Sequence, residues 1–227
     1  MTKTTLLLWD IDGTLIASGG AGMRALRVAL NGVFSMDGPL DDIDFAGRTD
    51  LWIMRRIFAK FGVAATEENF TRCFDAYVAA LPAEMANPSA RVLPGVPTLL
   101  AAVAARPDVA QGLLTGNMRR GAAVKLGHHG LWNYFPFGAF ADDGELRNDL
   151  GPHALRRARE HTGADFTPAR VWVIGDTPHD IACARAIGAR ALAVATGSQN
   201  VSDLASHAPD AVLADLADLT AFWQIID

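Results

Sequence analysis

Thr5-Leu6-Leu7-Leu8-Trp9-Asp10-Ile11-Asp12-Gly13-Thr14 decides how the rest of the chain is read. Leu6 to Trp9 is a continuous apolar run, too short for a helix and stopped by Gly13, which predicts a strand buried on both faces as in a parallel sheet. Asp10 and Asp12 follow it, two residues apart. In extended backbone they fall on one side, and Gly13 then lets the chain turn sharply away. Two carboxylates at the end of a buried strand are costly unless a positive charge joins them. A divalent cation is the natural partner, and the carboxyl edge of an open α/β sheet is where ligands bind.

On the C-terminal side of this stretch, Ser18 to Asn31 carries Met23, Leu26 and Leu30 at helical spacing. Asp50 opens a second helix that Gly62 ends, and Thr66-Glu67-Glu68 starts a third with acids in its first turn. Pro82, Pro88 and Pro94 punctuate the chain, and Pro94-Gly95 marks a return. Beyond it the period changes. A helix at about 95–105 leads to a strand at Val109 to Leu114, a helix through Ala122 and Leu126, and a short strand at Phe137 to Phe140. A helix from Pro152 to His161 precedes a strand at Val171 to Ile174, a helix at Ile181 to Ile187, strands at Arg190 to Ala195 and Ala211 to Leu213, and a closing helix from Leu216 to Ile225. This alternation predicts the α/β class, a Rossmann-like parallel sheet core with an inserted α-helical cap domain. Residues 1–15 and 91–227 form the expected core, and residues 16–90 the cap.

Three of these strands end in polar residues of the kind a phosphate site requires. The first ends in Asp10 and Asp12. The second ends in Thr115-Gly116-Asn117, which offers a hydroxyl, an unhindered backbone N–H and an amide at the start of a helix, where orphan N–H groups bind anions. The third ends in Gly175-Asp176-Thr177-Pro178-His179-Asp180, with two more carboxylates.

Taken in order, Asp10-Ile11-Asp12-Gly13-Thr14, Thr115-Gly116-Asn117 and Gly175-Asp176-x-x-x-Asp180 resemble the motifs of the haloacid dehalogenase superfamily of phosphohydrolases. The position of the insertion is similar to that of the small helical cap in phosphoglycolate phosphatase and β-phosphoglucomutase relatives. The superfamily's third motif is normally a Lys, and none stands where it belongs. Arg147, just past the Phe137 strand, is assigned the role; its fork fits a phosphoryl group but is larger than an ammonium. Lys125, mid-helix and too soon after Thr115, is left outside the site.

The resemblance implies a phosphatase acting on a small phosphate monoester through an aspartyl-phosphate. It makes Asp10 the nucleophile and Asp12 the general acid and base. Mg2+ would be the cofactor, held by the Asp10 carboxylate, the Asp12 backbone carbonyl and Asp176, with Asp180 in support. Thr115, Gly116, Asn117 and Arg147 would hold the phosphoryl group, and Arg48, in a cap turn resembling the relatives' specificity loop, would read the leaving group. Asp12 argues against dehalogenation, because a departing halide needs no proton. A phosphomutase and a non-catalytic phosphate-binding regulatory protein remain as alternative readings.

Competing signals are weaker. Gly20-Ala21-Gly22-Met23-Arg24-Ala25 fits a dinucleotide fingerprint but lies too far past the first strand, and the glycines read better as a joint into the cap. His128 and His129 read as a surface pair at a helix end, His179 as an exposed loop residue, and Trp9 and Trp172 as core. The formal net charge of −5 over 227 residues gives no footprint for nucleic acid or an anionic membrane, and the 50% hydrophobic content argues against disorder. The longest apolar tract, Val96 to Ala105, is too short to span a bilayer. Cys73 and Cys183, far apart and without paired spacing, read as reduced residues. The expectation is a cytoplasmic enzyme, monomer or homodimer, whose partner is a small-molecule phosphate ester.

Overall fold

Residues 4–227 are described by the structure, a computed structural model. In chain order the regular elements are β1 (Thr5–Trp9), β2 (Ile16–Ala17), α1 (Ala21–Phe34), α2 (Asp50–Phe61), α3 (Glu67–Met85), β3 (Arg91–Val92), α4 (Val96–Ala104) and β4 (Val109–Leu114). They continue with α5 (Arg119–His128), β5 (Gly138–Ala139), α6 (Arg147–Thr162), β6 (Val171–Gly175), α7 (Pro178–Ala186), β7 (Arg190–Val194), α8 (Val201–Ser206), β8 (Ala211–Leu213) and α9 (Leu219–Ile226).

β1 is buried along its whole length, and the alternation of its side chains divides the interior in two. Leu7 and Trp9 join one apolar cluster, whereas Leu6 and Leu8 join the other. Each fully buried Leu contributes about 1.5–3 kcal/mol of transfer free energy, so the run is fixed in register before its acidic end is considered. Among the described residues β1 is central in a parallel sheet of order β5-β4-β1-β6-β7-β8. The chain winds outward from β1 in both directions, so the topological switch point lies where β1 meets β4 and β6. This is the expected α/β architecture.

β2 and β3 form a separate antiparallel ribbon, pairing Ile16 with Val92 and Ala17 with Arg91, with α1, α2 and α3 between them. Sequence periodicity missed this ribbon because two-residue strands carry no pattern. At the exit from β2, Gly19 and Gly20 are both left-handed, with φ of 57° and 82°. A Cβ on Gly19 would lie 2.2 Å from Ser89 Oγ, on the returning strand's side, so a side chain there would wedge the two passages apart. α1 packs on α3 rather than on the sheet, which removes the dinucleotide reading of its glycines.

Two helices differ from expectation at prolines. α3 runs through Pro82 to Met85, and α6 begins at Arg147, five residues before Pro152. In each case burial of the helix face, with Leu81 and Met85 in α3 and Leu150 and Ala154 in α6, offsets the hydrogen bond that proline forgoes. α8 was not anticipated; Asn200 caps it by accepting from the Asp203 N–H at 3.0 Å. Trp9 and Trp172 are core residues, as are both free thiols. No helix among the described residues is long and apolar enough to cross a membrane.

Candidate active site

β4, β1 and β6 are neighbours in register, with Trp9 opposite both Leu113 and Ile174. Adjacent strands lie about 4.8 Å apart, so the residues that follow these three strands must converge. Asp10 is still held in the sheet by its N–H, which donates to the Ile174 carbonyl at 2.9 Å. Gly13 then turns the chain at φ 81°. Carboxylate oxygens of Asp10, Asp176 and Asp180 all fall within 4.8 Å of one another, and all three residues are buried. Asp176 sits in a slot made by two glycines: a Cβ on Gly13 would lie 2.3 Å from its Oδ2, and one on Gly197 only 1.7 Å.

Burial pushes the Asp10 carboxyl up; Arg147 pulls against this, Asp180 and Asp12 add to it, and the net shift is upward. Burial also raises Asp176, reinforced by Asp10 and Asp180. The cluster therefore holds more negative charge than its surroundings neutralise. An all-oxygen donor set of this kind suits a hard divalent cation. Asp180 is differently placed, because both its oxygens are engaged: Oδ1 by Arg147 at 2.5 Å, Oδ2 by the Thr177 N–H at 3.0 Å and hydroxyl at 2.6 Å. The bond from the Thr177 N–H is one half of the capping box of α7. His179, expected in an exposed loop, instead lies in the first turn of that helix, half-buried against Gly47.

Arg147, the first residue of α6, is buried, and its Nη2 lies 2.8 Å from Asp10 Oδ1. It thus bridges the first and last acidic motifs. Its Nη1 donates to the Gly47 carbonyl at 3.2 Å. Lys125, left out on sequence grounds, is also in the site. From α5 its Nζ reaches Asp12 Oδ2 and Asn117 Oδ1, each at 2.6 Å, and the residue is 5% exposed. The signal that was present is helical spacing: Gly121 and Lys125, four apart on α5, share one face, and Lys125 Nζ reaches back to Asn117 just ahead of that helix. Burial works against the Lys125 ammonium, but Asp12, Tyr77 and Asp50 more than offset it, and it stays charged.

Asn117 closes the triangle. Its Nδ2 donates to Asp12 Oδ2 at 2.9 Å and to Thr115 Oγ1 at 2.9 Å. Its amide is therefore spent on orienting Asp12 and Thr115 rather than left open to a ligand. Asp12 Oδ2 is thus bound to Lys125 and Asn117, whereas the Asp10 carboxylate is paired with Arg147.

The loop ahead of α2 closes over these groups. The Asp50 N–H donates to the Gly116 carbonyl at 2.7 Å, the Met118 N–H donates to Asp50 Oδ2 at 2.8 Å, and the Thr49 hydroxyl donates to the Glu145 carbonyl at 2.5 Å. Gly116 is required by this contact: a Cβ there would lie 2.1 Å from the Arg48 carbonyl. Between the loop and the strand ends lies a cavity of about 200 Å3 reached by Asp10, Asp12, Gly116, Asn117, Lys125 and Arg147, and by Arg48 from the insert side. Arg48 lies at its edge with Nε 3.1 Å from Asp44 Oδ2 and its guanidinium 4.6 Å above the Trp52 ring.

A family model described as haloacid dehalogenase-like hydrolase matches residues 7–185. The chain is 27% identical to a phosphoglycolate phosphatase of Synechococcus elongatus, covering 94% of each chain. It is 28% identical to a phosphoglycolate phosphatase of Rhodospirillum rubrum, over 96% of this chain and 91% of that one. Its fold is similar to the crystal structure of a predicted phosphoglycolate phosphatase from Haemophilus somnus, with a TM-score of 0.72 at 19% identity, covering 99% of this chain and 100% of the other.

Proposed function

The chain belongs to the haloacid dehalogenase-like hydrolases, and from that premise we propose that it is a Mg2+-dependent phosphatase of small phosphate monoesters. The observation that carries this reading is the sorting of charge at three adjacent strand ends. An acidic cluster of Asp10, Asp176 and Asp180 faces one way, and a Lys125–Asp12–Asn117 triangle faces the other. The relatives named as phosphoglycolate phosphatases support a phosphate ester as substrate.

In this reading Asp10 attacks phosphorus in line and becomes an aspartyl-phosphate, while Asp12, which takes up a proton as the phosphate's negative charge comes beside it, passes that proton to the departing oxygen. Asp12, then ionised, takes a proton from the water that splits the aspartyl-phosphate, returning both residues to their starting state. Arg147, the Thr115 hydroxyl and the Gly116 N–H hold the phosphoryl oxygens as charge develops on them. Asn117 acts one step removed, by fixing Asp12 and Thr115. Asp10, Asp176 and the Asp12 carbonyl would hold Mg2+, and Asp180 would keep Arg147 in place. When bound, the cation neutralises phosphoryl charge and offsets the repulsion within the acidic cluster. The three helices between β2 and β3 serve in this proposal as the cap, residues 16–90, that excludes water and reads the leaving group.

Hydrolysis of p-nitrophenyl phosphate should vanish with chelator, return with Mg2+ and be inhibited by Ca2+, whose longer bonds and higher coordination number disturb in-line geometry. Full activity in excess chelator would remove the metal from the scheme. Gly197→Ala forces a methyl group into the Asp176 slot and is expected to raise the Mg2+ concentration for half-maximal rate by about 10- to 100-fold. A titration of rate against Mg2+ checks this, and an unchanged midpoint would separate Asp176 from metal binding.

A further inference from the structure

The cavity has two unlike ends. Its charged groups gather where the phosphoryl group would sit, at Asp10, Asp12, Lys125 and Arg147, whereas the opposite wall is apolar. That wall is built from Met23 and Leu26 of α1, Phe45 ahead of α2, Ile53 and Met54 of α2, and Phe74 of α3. The whole space is about 200 Å3. An apolar cavity of about 150 Å3 holds one benzene, so beside a phosphoryl group the enclosed part of this one favours a compact apolar group, and a larger leaving group must reach out through its open side.

Charge narrows the choice further. A carboxylate or second phosphate on the leaving group would need a cation, and those lining the cavity are already engaged. Arg147, between Asp10 and Asp180, is taken up by the phosphoryl group itself, Lys125 lies on Asp12, and Arg48 is paired with Asp44 and stacked on Trp52. The same wall carries the Asp50 carboxylate, so a second anion would be buried beside a like group. Several hydroxyls would fare little better, since the insert's part of the wall offers them the Tyr77 hydroxyl and Asp50 among its apolar groups. Building on the phosphatase reading, we infer that the substrate is the monophosphate ester of a compact, largely apolar alcohol with no second anionic group. Hydrolysis consumes one water and releases that alcohol and orthophosphate.

n-Propyl phosphate and 2-phosphoglycolate are close in length and differ chiefly in a methyl group against a carboxylate. With Mg2+ present, kcat/KM for propyl phosphate should exceed that for phosphoglycolate by about tenfold or more. It should also rise about three- to fourfold per methylene from methyl to propyl phosphate, the increment expected for burying each CH2. Leu26→Ala, which deepens the apolar wall, should move the best n-alkyl chain to a longer one. That readout is a ratio within one variant, so partial loss of folded protein cancels. Turnover of p-nitrophenyl phosphate with phosphoglycolate matching or exceeding propyl phosphate would overturn this inference while sparing the phosphatase reading, and would return Arg48 to the leaving group. Turnover of p-nitrophenyl phosphate with neither small ester hydrolysed, or an unmoved chain-length optimum in Leu26→Ala, would also overturn it. Failure on every ester, p-nitrophenyl phosphate included, would overturn the phosphatase reading itself.

Discussion

Asp10→Asn should form no phosphoenzyme with any phosphate ester, whereas Asp12→Asn should form one and then fail to discharge it. The two residues are neighbours in sequence, yet their side chains are committed to different surroundings. Asp10 lies 2.8 Å from Arg147 inside the acidic cluster, and Asp12 is turned onto Lys125 and Asn117. An amide at position 10 leaves no nucleophile. An amide at position 12 keeps the nucleophile and the backbone carbonyl, and removes only the proton shuttle. General acid–base assistance is worth about 10²–10⁴-fold, and a p-nitrophenolate leaving group scarcely needs the acid half. Attack should therefore survive better than hydrolysis. Rapid mixing of Asp12→Asn with p-nitrophenyl phosphate should release up to about one product per site in a burst, followed by slow turnover. Peptide mapping should find the phosphoryl label on Asp10. Label elsewhere, or steady turnover by Asp10→Asn, would take the chemistry away from the β1 terminus.

The parts of this molecule that were legible in the sequence are those whose pattern is local and long enough to repeat. β1, β4 and β6 are apolar runs that end abruptly in Asp, Thr or Gly-Asp, and a parallel sheet places such ends together whatever lies between them. Where a side chain's destination depends on a distant partner, the sequence was less informative. Asn117 was expected to face a ligand, but two groups brought in from Asp12 and Lys125 occupy its amide. Arg48 was expected to be free to read a leaving group, but Asp44, four residues earlier, and Trp52, four residues later, take up its charge and its face. The α6 start was missed for a related reason. Pro152 reads as a helix beginning, yet burial of Arg147 and Leu150 carries the helix back by more than a turn.

Lys125 is the sharpest instance, and it reverses an expected ranking. On spacing alone, Lys125→Ala would leave turnover intact and only Arg147→Ala would damage it. The contacts of both side chains lead us to expect both substitutions to be damaging, in distinguishable ways. Arg147→Ala removes a cation that bridges Asp10 and Asp180, and should lower turnover by about 10²–10³-fold, as loss of a transition-state donor does. Lys125→Met preserves the apolar stem but frees Asp12 to swing, and a misplaced catalytic group costs on the order of 10²-fold. The pH profile tells the two apart. Burial pushes the Asp12 carboxyl up, but Lys125, by its charge and its hydrogen bond, and Asn117 pull it further down, so it lies below its ordinary value. Without Lys125 the effect of burial is opposed chiefly by Asn117, and the Asp12 pKa rises. In the proposed scheme Asp12 must be ionised to take the proton from water, so discharge of the phosphoenzyme slows as pH drops through that pKa. In Lys125→Met the acidic limb of phosphoenzyme discharge, followed after reaction with p-nitrophenyl phosphate, should therefore move to higher pH. Arg147→Ala should slow both steps and, because Arg147 holds the Asp10 carboxyl down, move the limb of phosphoenzyme formation to higher pH, while the limb of phosphoenzyme discharge, where Asp10 is esterified and Asp12 takes the proton, stays in place. Normal turnover and an unmoved limb in Lys125→Met would reduce the Lys125–Asp12 pair to a packing feature of α5 and leave Arg147 as the cation on which the reaction depends.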